Sequence, residues 1–222
     1  MQRLKNKSYK PQASLCIQIP KENGKTRPLG IAVYEDKLVQ LALKKIMEAI
    51  YEPRFLECMH GYRPNKGCHT AIKALNQSIE KKYTGWIFDA DVKGYFDNLN
   101  HEWIMKTVGV HIKDPNILGS IKKFLKAGIM EENVYYNTGE KATQGSNLSP
   151  LIANIYMHYM LTLWFYKVFN PKCRGYSAIT VYADDFMGCF QYRSDAEMFC
   201  LLKERLEMFG LELEPSKIRE DK

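Results

Sequence analysis

The sequence predicts a mixed α+β fold, an antiparallel sheet backed by helices, and three observations carry that prediction. Apolar runs of strand character are separated by segments whose apolar residues recur at helical spacing. Two of the runs, residues 179–182 and 186–190, are joined only by Ala183, Asp184 and Asp185, which reads as strand, tight turn, strand. A hairpin of that kind has no place in an all-parallel sheet, so a doubly wound architecture is excluded. The chain has 222 residues, of which 45% are hydrophobic and 12% aromatic, enough for a real core in one large domain or a domain with a subdomain. That composition rules out a disordered tail, and Gly 14 with Pro 9 rules out a fibrous or low-complexity chain.

Taken in order, residues 15–20 alternate loosely like a strand, residues 21–25 read as a hairpin turn, and residues 27–31 return as a second strand or a loop. From 35 to 50, Val39, Ala42, Leu43, Ile46 and Ile50 recur at helical spacing, with Glu35 and Asp36 in the first turn. A second helix is predicted over 68–81, with Ala71, Ile72, Leu75 and Ile79 on one face. Residues 85–92 read as a buried strand, followed by a turn at Gly94 and a helix from near Asn100. Asp114 and Pro115 are a cap and first-turn pair for a helix carrying Ile117, Leu118, Ile121 and Leu125. Tyr135, Tyr136 and Gly139 mark a short hairpin over 128–140.

Ser149 and Pro150 repeat the cap-then-proline signal ahead of the most apolar stretch, 151–169. That stretch is nearly long enough to span a bilayer, but Asn154, His158, Thr162 and Lys167 make it a core helix with a polar edge. Ser194 and Glu197 have the spacing of a capping box, and their helix carries Phe199, Leu202, Leu206 and Phe209 before a stop at Gly210. Residues 211–214 read as a last strand.

Lys and Arg total 32 against 25 Asp and Glu, a formal net charge of +7 that favours a polyanionic partner such as nucleic acid. Arg3, Lys5, Lys7, Lys10, Lys21, Lys25 and Arg27 fall in the first 27 residues, where Glu22 is the only acid. Such an arm is either an electrostatic footprint for phosphates or a solvated, frayed terminus. The first residues have the charges of a signal peptide without an apolar stretch behind them, so a cytoplasmic protein is expected. Six cysteines without a Cys-x-x-Cys pair fit free thiols in a reducing compartment.

Two acidic groups could carry chemistry. Asp89 and Asp91 are two apart on a strand and so share a face, while Asp184 and Asp185 are consecutive at a turn between apolar strands. Carboxylates bordering a core are costly unless paired or bound to a cation. If the two strands are neighbours, Asp91 and Asp184 converge, and a compact set of oxygen ligands suits Mg²⁺. Taken singly, each motif is also ordinary turn or strand chemistry.

Their neighbours say more. Tyr182-Ala183-Asp184-Asp185 resembles the catalytic box of reverse transcriptases, and Phe88-Asp89-Ala90-Asp91 running through Tyr95-Phe96-Asp97 looks like that family's first catalytic motif. Thr143-Gln144-Gly145-Ser146-Asn147-Leu148-Ser149-Pro150 is similar to its Gln-Gly motif. Arg27-Pro28-Leu29-Gly30-Ile31, Glu35-Asp36-Lys37 and His60-Gly61-Tyr62-Arg63-Pro64 resemble segments of the proteins encoded by bacterial group II introns, the maturases. Gly210-Leu211 with Lys217 is similar to the segment after the catalytic hairpin. The matches keep the family's order from about residue 9 to 219.

The resemblance implies reverse-transcriptase fingers and palm: partial fingers over 1–84, with more interleaved around 112–148, and a palm with the catalytic site over 85–222. It implies an RNA-directed DNA polymerase using two Mg²⁺ ions, with Mn²⁺ as a substitute. Asp91, Asp184, Asp185 and the carbonyl of Val92 would be metal ligands, and the three acids catalytic. Lys21 and Arg27 would grip the triphosphate, Gln144 would touch the incoming nucleotide, and Phe96 would be the steric gate against a ribose 2′-OH. Lys217 would protonate the leaving pyrophosphate, and Arg63 would either contact template or hold the fingers together. The implied partners are an RNA template, a DNA primer, deoxynucleoside triphosphates and group II intron RNA, with no membrane.

The chain departs from the family pattern at Thr143, where proline is usual, and at Ser14 and Leu15, where an arginine is common. It also lacks counterparts of the family's N-terminal extension and helical thumb, which predicts a truncated fragment of weak processivity. Two other readings stand beside this one: a retron- or defence-type reverse transcriptase, and a non-catalytic RNA-binding maturase module or remnant.

Overall fold

The structure is a computed structural model. It describes the backbone of residues 2–20, 24, 26–80, 83–131, 134–136, 145–214 and 219–221 and, except at 27, 28, 131, 134, 136 and 219–221, their side chains. The chain packs as two compact units, residues 1–50 with 96–152 and residues 51–95 with 153–222. The cut expected at 84/85 lies inside the second.

In the first unit, β1 (Ser14–Pro20) and β2 (Thr26–Ile31) form the predicted antiparallel hairpin, with Leu15 opposite Ile31 and Pro20 opposite Thr26. β4 (Ile129–Glu131) adds parallel to β1, and β5 (Val134–Tyr136) closes the order β2-β1-β4-β5. Pro28 falls on an edge strand, where a missing N–H disturbs the ladder least. Cys16 faces inward, while Leu15, Ile17 and Ile19 alternate outward with Met130 and Tyr135 on the same exposed face.

The helix predicted over 35–50 is α2 (Tyr34–Tyr51), with its two acids in the first turn. One of them, Asp36, is buried because it anchors the N-terminal arm. It accepts the Tyr9 hydroxyl and, at 2.9 Å, the amide of Gln12. Lys123 donates to the carbonyls of Lys7 (3.2 Å) and Tyr9 (2.8 Å), and the Tyr9 phenol is pushed up chiefly by burial. The arm, which opens on the exposed α1 (Gln2–Lys5), is therefore tied down over residues 7–12. α5 (His101–Val108) starts on Asn100, whose side chain accepts from the amides of Glu102 and Trp103. α6 (Pro115–Leu125) starts on Asp114 in the same way. The loop entering α7 (Ser149–Met157) lies hard against β2: a Cβ on Gly145, at φ +112°, would stand 2.2 Å from the Gly30 carbonyl oxygen.

In the second unit, β6 (Ser177–Tyr182), β7 (Asp185–Phe190), β3 (Trp86–Asp91) and β8 (Arg219–Asp221) form an antiparallel sheet in the order β6-β7-β3-β8. Phe88, Ala90, Ile179, Val181, Phe186 and Phe190 line its buried face. Phe165, Phe169 and Phe199 pack there, with Phe199 in edge or tilted contact with Phe88, Trp164, Phe165, Phe169, Phe186 and Phe190. α3 (Cys68–Glu80) fills its predicted range.

Three predicted features differ. The stretch after Met157 continues through π-helical turns at His158–Thr162 and Phe165–Phe169. Of its polar residues Asn154, His158 and Thr162 are buried and Lys167 is exposed, and His158 Nδ1 lies 3.1 Å from Thr162 Oγ1. Ser194 is not a cap: α8 (Arg193–Met198) starts one residue earlier, and buried Asp195 instead accepts the amides of Arg174 and Gly175. Residues 211–214 make a single bridge, Leu213 to Val92, rather than a strand; the strand on that edge is β8. The helix stops by Gly210 as predicted: α9 (Leu202–Met208) ends two residues before it, and Gly210 stands at φ +73°.

Candidate active site

Strand register assembles the acids. β3 pairs with β7 so that Asp91 lies opposite Asp185, and β6 pairs with β7 so that Tyr182 lies opposite Asp185. This leaves Ala183 and Asp184 as a two-residue turn. Ala183 stands at φ +59°, in keeping with the turns that match strand twist. The amide of Val92 donates to the Asp184 carbonyl at 3.3 Å, tying the turn to the end of β3. Asp91, Asp184 and Asp185 thus come together although they are remote in sequence.

Asp89, Asp91 and Asp185 share the face opposite the aromatic core. Asp89, Asp91 and Asp184 are half-buried and Asp185 is exposed, while the Oδ1 atom of Asp91 is sealed from solvent. Tyr95 lies close behind. It is buried and donates to the Ala153 carbonyl at 2.7 Å. Its phenol is held well above the ordinary tyrosine range, first by burial, then by Tyr156 and by the charge of Asp184. Tyr95 therefore remains a neutral donor, and nothing in the sequence pattern marked it beyond its place in the first motif.

The backbone offers one more oxygen. Val92 sits opposite Leu213 in a non-hydrogen-bonded pair, because the flanking bonds run from Lys93 to Glu212 (2.9 Å) and from Glu214 to Asp91 (2.8 Å). The ladder there does not consume the Val92 carbonyl.

Among the described residues no three His, Cys, Asp or Glu side chains form a ready cage for a metal ion. Mg²⁺ binds through one or two carboxylates together with waters and substrate phosphates. Two carboxylate-bearing strand ends and a backbone carbonyl are a hard, oxygen-only donor set, so the residues fit the ion.

The remaining predicted residues are placed unevenly. Phe96 is buried on the short helix α4 (Tyr95–Asn98) that follows β3. Arg27 lies on β2 opposite Ile19, with its side chain among those left out of the description. Lys21, Gln144 and Lys217 lie outside the described residues. Arg63 has a firm position: its side chain is 5% exposed and forks onto Glu52 (2.9 and 2.7 Å) and onto the carbonyls of Leu56 (2.8 Å) and Met59 (2.9 Å). Those partners use its guanidinium to tie down residues 52–63.

The sequence family described as reverse transcriptase (RNA-dependent DNA polymerase) matches residues 19–220. The chain belongs to that family. Group II intron-encoded protein LtrA of Lactococcus lactis subsp. cremoris is 44% identical over 161 residues, which are 71% of this chain and 26% of LtrA. A 91 kDa protein in the cob intron of Schizosaccharomyces pombe is 38% identical over 160 residues, 72% of this chain and 20% of that protein. This reverse transcriptase chain thus spans about a quarter or less of the length of those two relatives. A structure of apo telomerase from Candida Tropicalis superposes with a TM-score of 0.72 at 13% identity, over 96% of this chain and 45% of that one, and shows the shared fold.

Proposed function

We infer that this chain is the catalytic core of an RNA-directed DNA polymerase of the group II intron type. It would join a primer 3′-oxygen to the α-phosphorus of a deoxynucleoside triphosphate and release pyrophosphate. The observation that carries the reading is the meeting of Asp91, Asp184 and Asp185 at the β6–β7 turn and the end of β3. In this reading residues 85–222 act as palm and 1–84 as partial fingers, with further fingers residues around 112–148.

Asp91, Asp184, Asp185 and the Val92 carbonyl would hold two divalent ions, Mg²⁺ or in its place Mn²⁺. Bound there, such ions supply Lewis-acid stabilisation of the attacking and leaving oxygens. The chain's other residues bind and orient. Lys21 and Arg27 neutralise the triphosphate, Gln144 contacts the nucleotide, and the Phe96 ring excludes a 2′-hydroxyl. Lys217 returns a proton to the leaving pyrophosphate. No side chain forms a bond to substrate, so positioning and charge supply the rate.

An RNA partner has separate support in the first unit. Among the described residues a cleft of about 860 Å³ is lined by Lys10, Lys122, Lys123 and Lys126 with exposed Tyr135, and Lys123 Nζ is already bonded to the Lys7 and Tyr9 carbonyls. Basic side chains beside an aromatic ring suit a phosphodiester backbone and a stacked base. Among the described residues no helix is long and apolar enough to cross a membrane. The location we assign, a bacterial cytoplasm, rests on the likeness to a protein encoded by a bacterial intron.

Primer extension on an RNA template with Mg²⁺ tests the reading. Asp184→Ala is expected to lower extension by about 10²–10³-fold while leaving RNA affinity intact. RNA binding by both proteins with extension by neither would instead favour a non-catalytic RNA-binding module.

A further inference from the structure

Segment 58–61 runs beside β6 at the outer edge of the second sheet. Val181 donates to the Cys58 carbonyl at 2.8 Å and His60 donates to the Val181 carbonyl at 2.9 Å, a parallel bridge centred on Met59 and Val181. Two residues beyond Val181 comes Ala183, the first residue of the acidic turn. Gly61 is pressed against it: a Cβ on Gly61 would stand 2.4 Å from the Ala183 nitrogen and 3.0 Å from its Cα. Only a residue without a side chain lets the two backbones approach so closely.

Gly61 is itself held. Its carbonyl accepts the Asn154 side-chain amide at 2.7 Å, and Asn154 is 3% exposed. Arg63 bonds the Met59 and Leu56 carbonyls and lies over the Phe55 ring, so a buried fork braces the segment itself, while the backbone bonds of Cys58 and His60 to Val181 hold it to β6. Meanwhile Ala183 keeps a left-handed backbone that favours glycine, a conformation that lasts only where the surroundings over-determine it. The next residue is Asp184, whose carbonyl is fixed by Val92. The turn is therefore gripped from both sides, by Gly61 at Ala183 and by Val92 at Asp184.

We propose that Gly61 and Asn154 are positioning residues for Asp184: the buried amide of Asn154 seats Gly61 against Ala183, and that backbone contact sets where the Asp184 carboxylate stands. The consequence for catalysis rests on the polymerase reading, in which small displacements of a metal-holding carboxylate cost rate steeply. The contact itself does not.

The test uses the full chain without nucleotide, titrated with Mn²⁺ and read by the electron paramagnetic resonance of the free ion, alongside primer extension. Gly61→Ala places a methyl group in the contact, and Asn154→Leu removes the donor at similar volume. At a temperature where circular dichroism shows the variant folded, each is expected to weaken Mn²⁺ binding about tenfold or more. Each should lower kcat for extension and leave KM for the nucleotide near the wild-type value. A merely structural role would lower the melting temperature and leave the Mn²⁺ titration of the folded variant unchanged. If Gly61→Ala does not fold, Asn154→Leu decides alone. Wild-type Mn²⁺ binding in a folded variant overturns the proposal, provided Asp184→Ala abolishes that binding. If Asp184→Ala also binds Mn²⁺ like wild type, the reading of the acids fails instead.

Discussion

The sheet that carries the acids and the sheet built on the β1–β2 hairpin each have four described strands, yet their faces are used differently. Behind the acids, Phe88, Phe186 and Phe190 are sealed under Phe165, Phe169 and Phe199, all 2% exposed or less. The opposite face of that sheet carries the half-buried Asp89 and Asp91 and, farther along β7, the buried Cys189. In the hairpin sheet the outward face is apolar, with Leu15, Ile17 and Ile19 each more than 40% exposed. One sheet sets its acids over a buried aromatic layer; the other leaves described apolar side chains exposed on its outward face.

The largest effect that could break this contrast is on stability. Phe199 touches six other aromatic rings, so Phe199→Ala opens a cavity that surrounding rings cannot readily fill. Urea denaturation should show a loss of about 3–5 kcal/mol. A loss under about 1 kcal/mol would mean that the cluster is not what supports the acidic sheet.

What the sequence disclosed follows the same division between local and distant causes. The hairpin around Asp184, the range of α3 and the Asp114 cap were legible because each is decided within a few residues. The family motifs also brought Asp91 and Asp184 to one place before any register was known. Features fixed by distant partners were not legible. Asp36 reads as a first-turn acid, but its hydrogen-bond partners are Tyr9 and Gln12. Asp195 reads as part of a capping box and instead serves the amides of Arg174 and Gly175. Gly61 lies in the motif from His60 to Pro64 and Asn154 on the polar edge of the 151–169 stretch, yet no local pattern says that one bonds the other. Arg63 reads as a contact to template or a tie within the fingers, and no local pattern names the partners of its four short contacts, Glu52, Leu56 and Met59.

A smaller effect sharpens the comparison through pH. His60 is buried beside β6, with Nδ1 2.9 Å from Thr70 Oγ1. Its pKa is lowered, chiefly by burial and then by Lys66 and Arg63. A folded-state value below the unfolded 6.5 means that the unfolded chain binds more protons in the window just below 6.5. This stability is therefore fully present above pH 6.5 and is lost as pH falls through the lowered folded value. Melting temperatures should decline from pH 7 to 5 more steeply for wild type than for His60→Gln. Equal slopes would remove His60 as a source of acid sensitivity in the second unit.

The smallest expected effect belongs to the hairpin sheet. Ile17 is 45% exposed, and its inward neighbour Cys16, not Ile17, meets the core. Ile17→Thr keeps a β-branched side chain suited to a strand while removing apolar surface. If the outward face is open, stability should change by no more than about 0.5 kcal/mol, as for other exposed positions. Fully burying an isoleucine is worth about 1.5–3 kcal/mol, so a loss in that range would show that something covers the face in solution. The concentration dependence of the melting curve then separates the covers. A second copy of the chain makes the midpoint rise with protein concentration, whereas a segment of the same chain leaves it fixed.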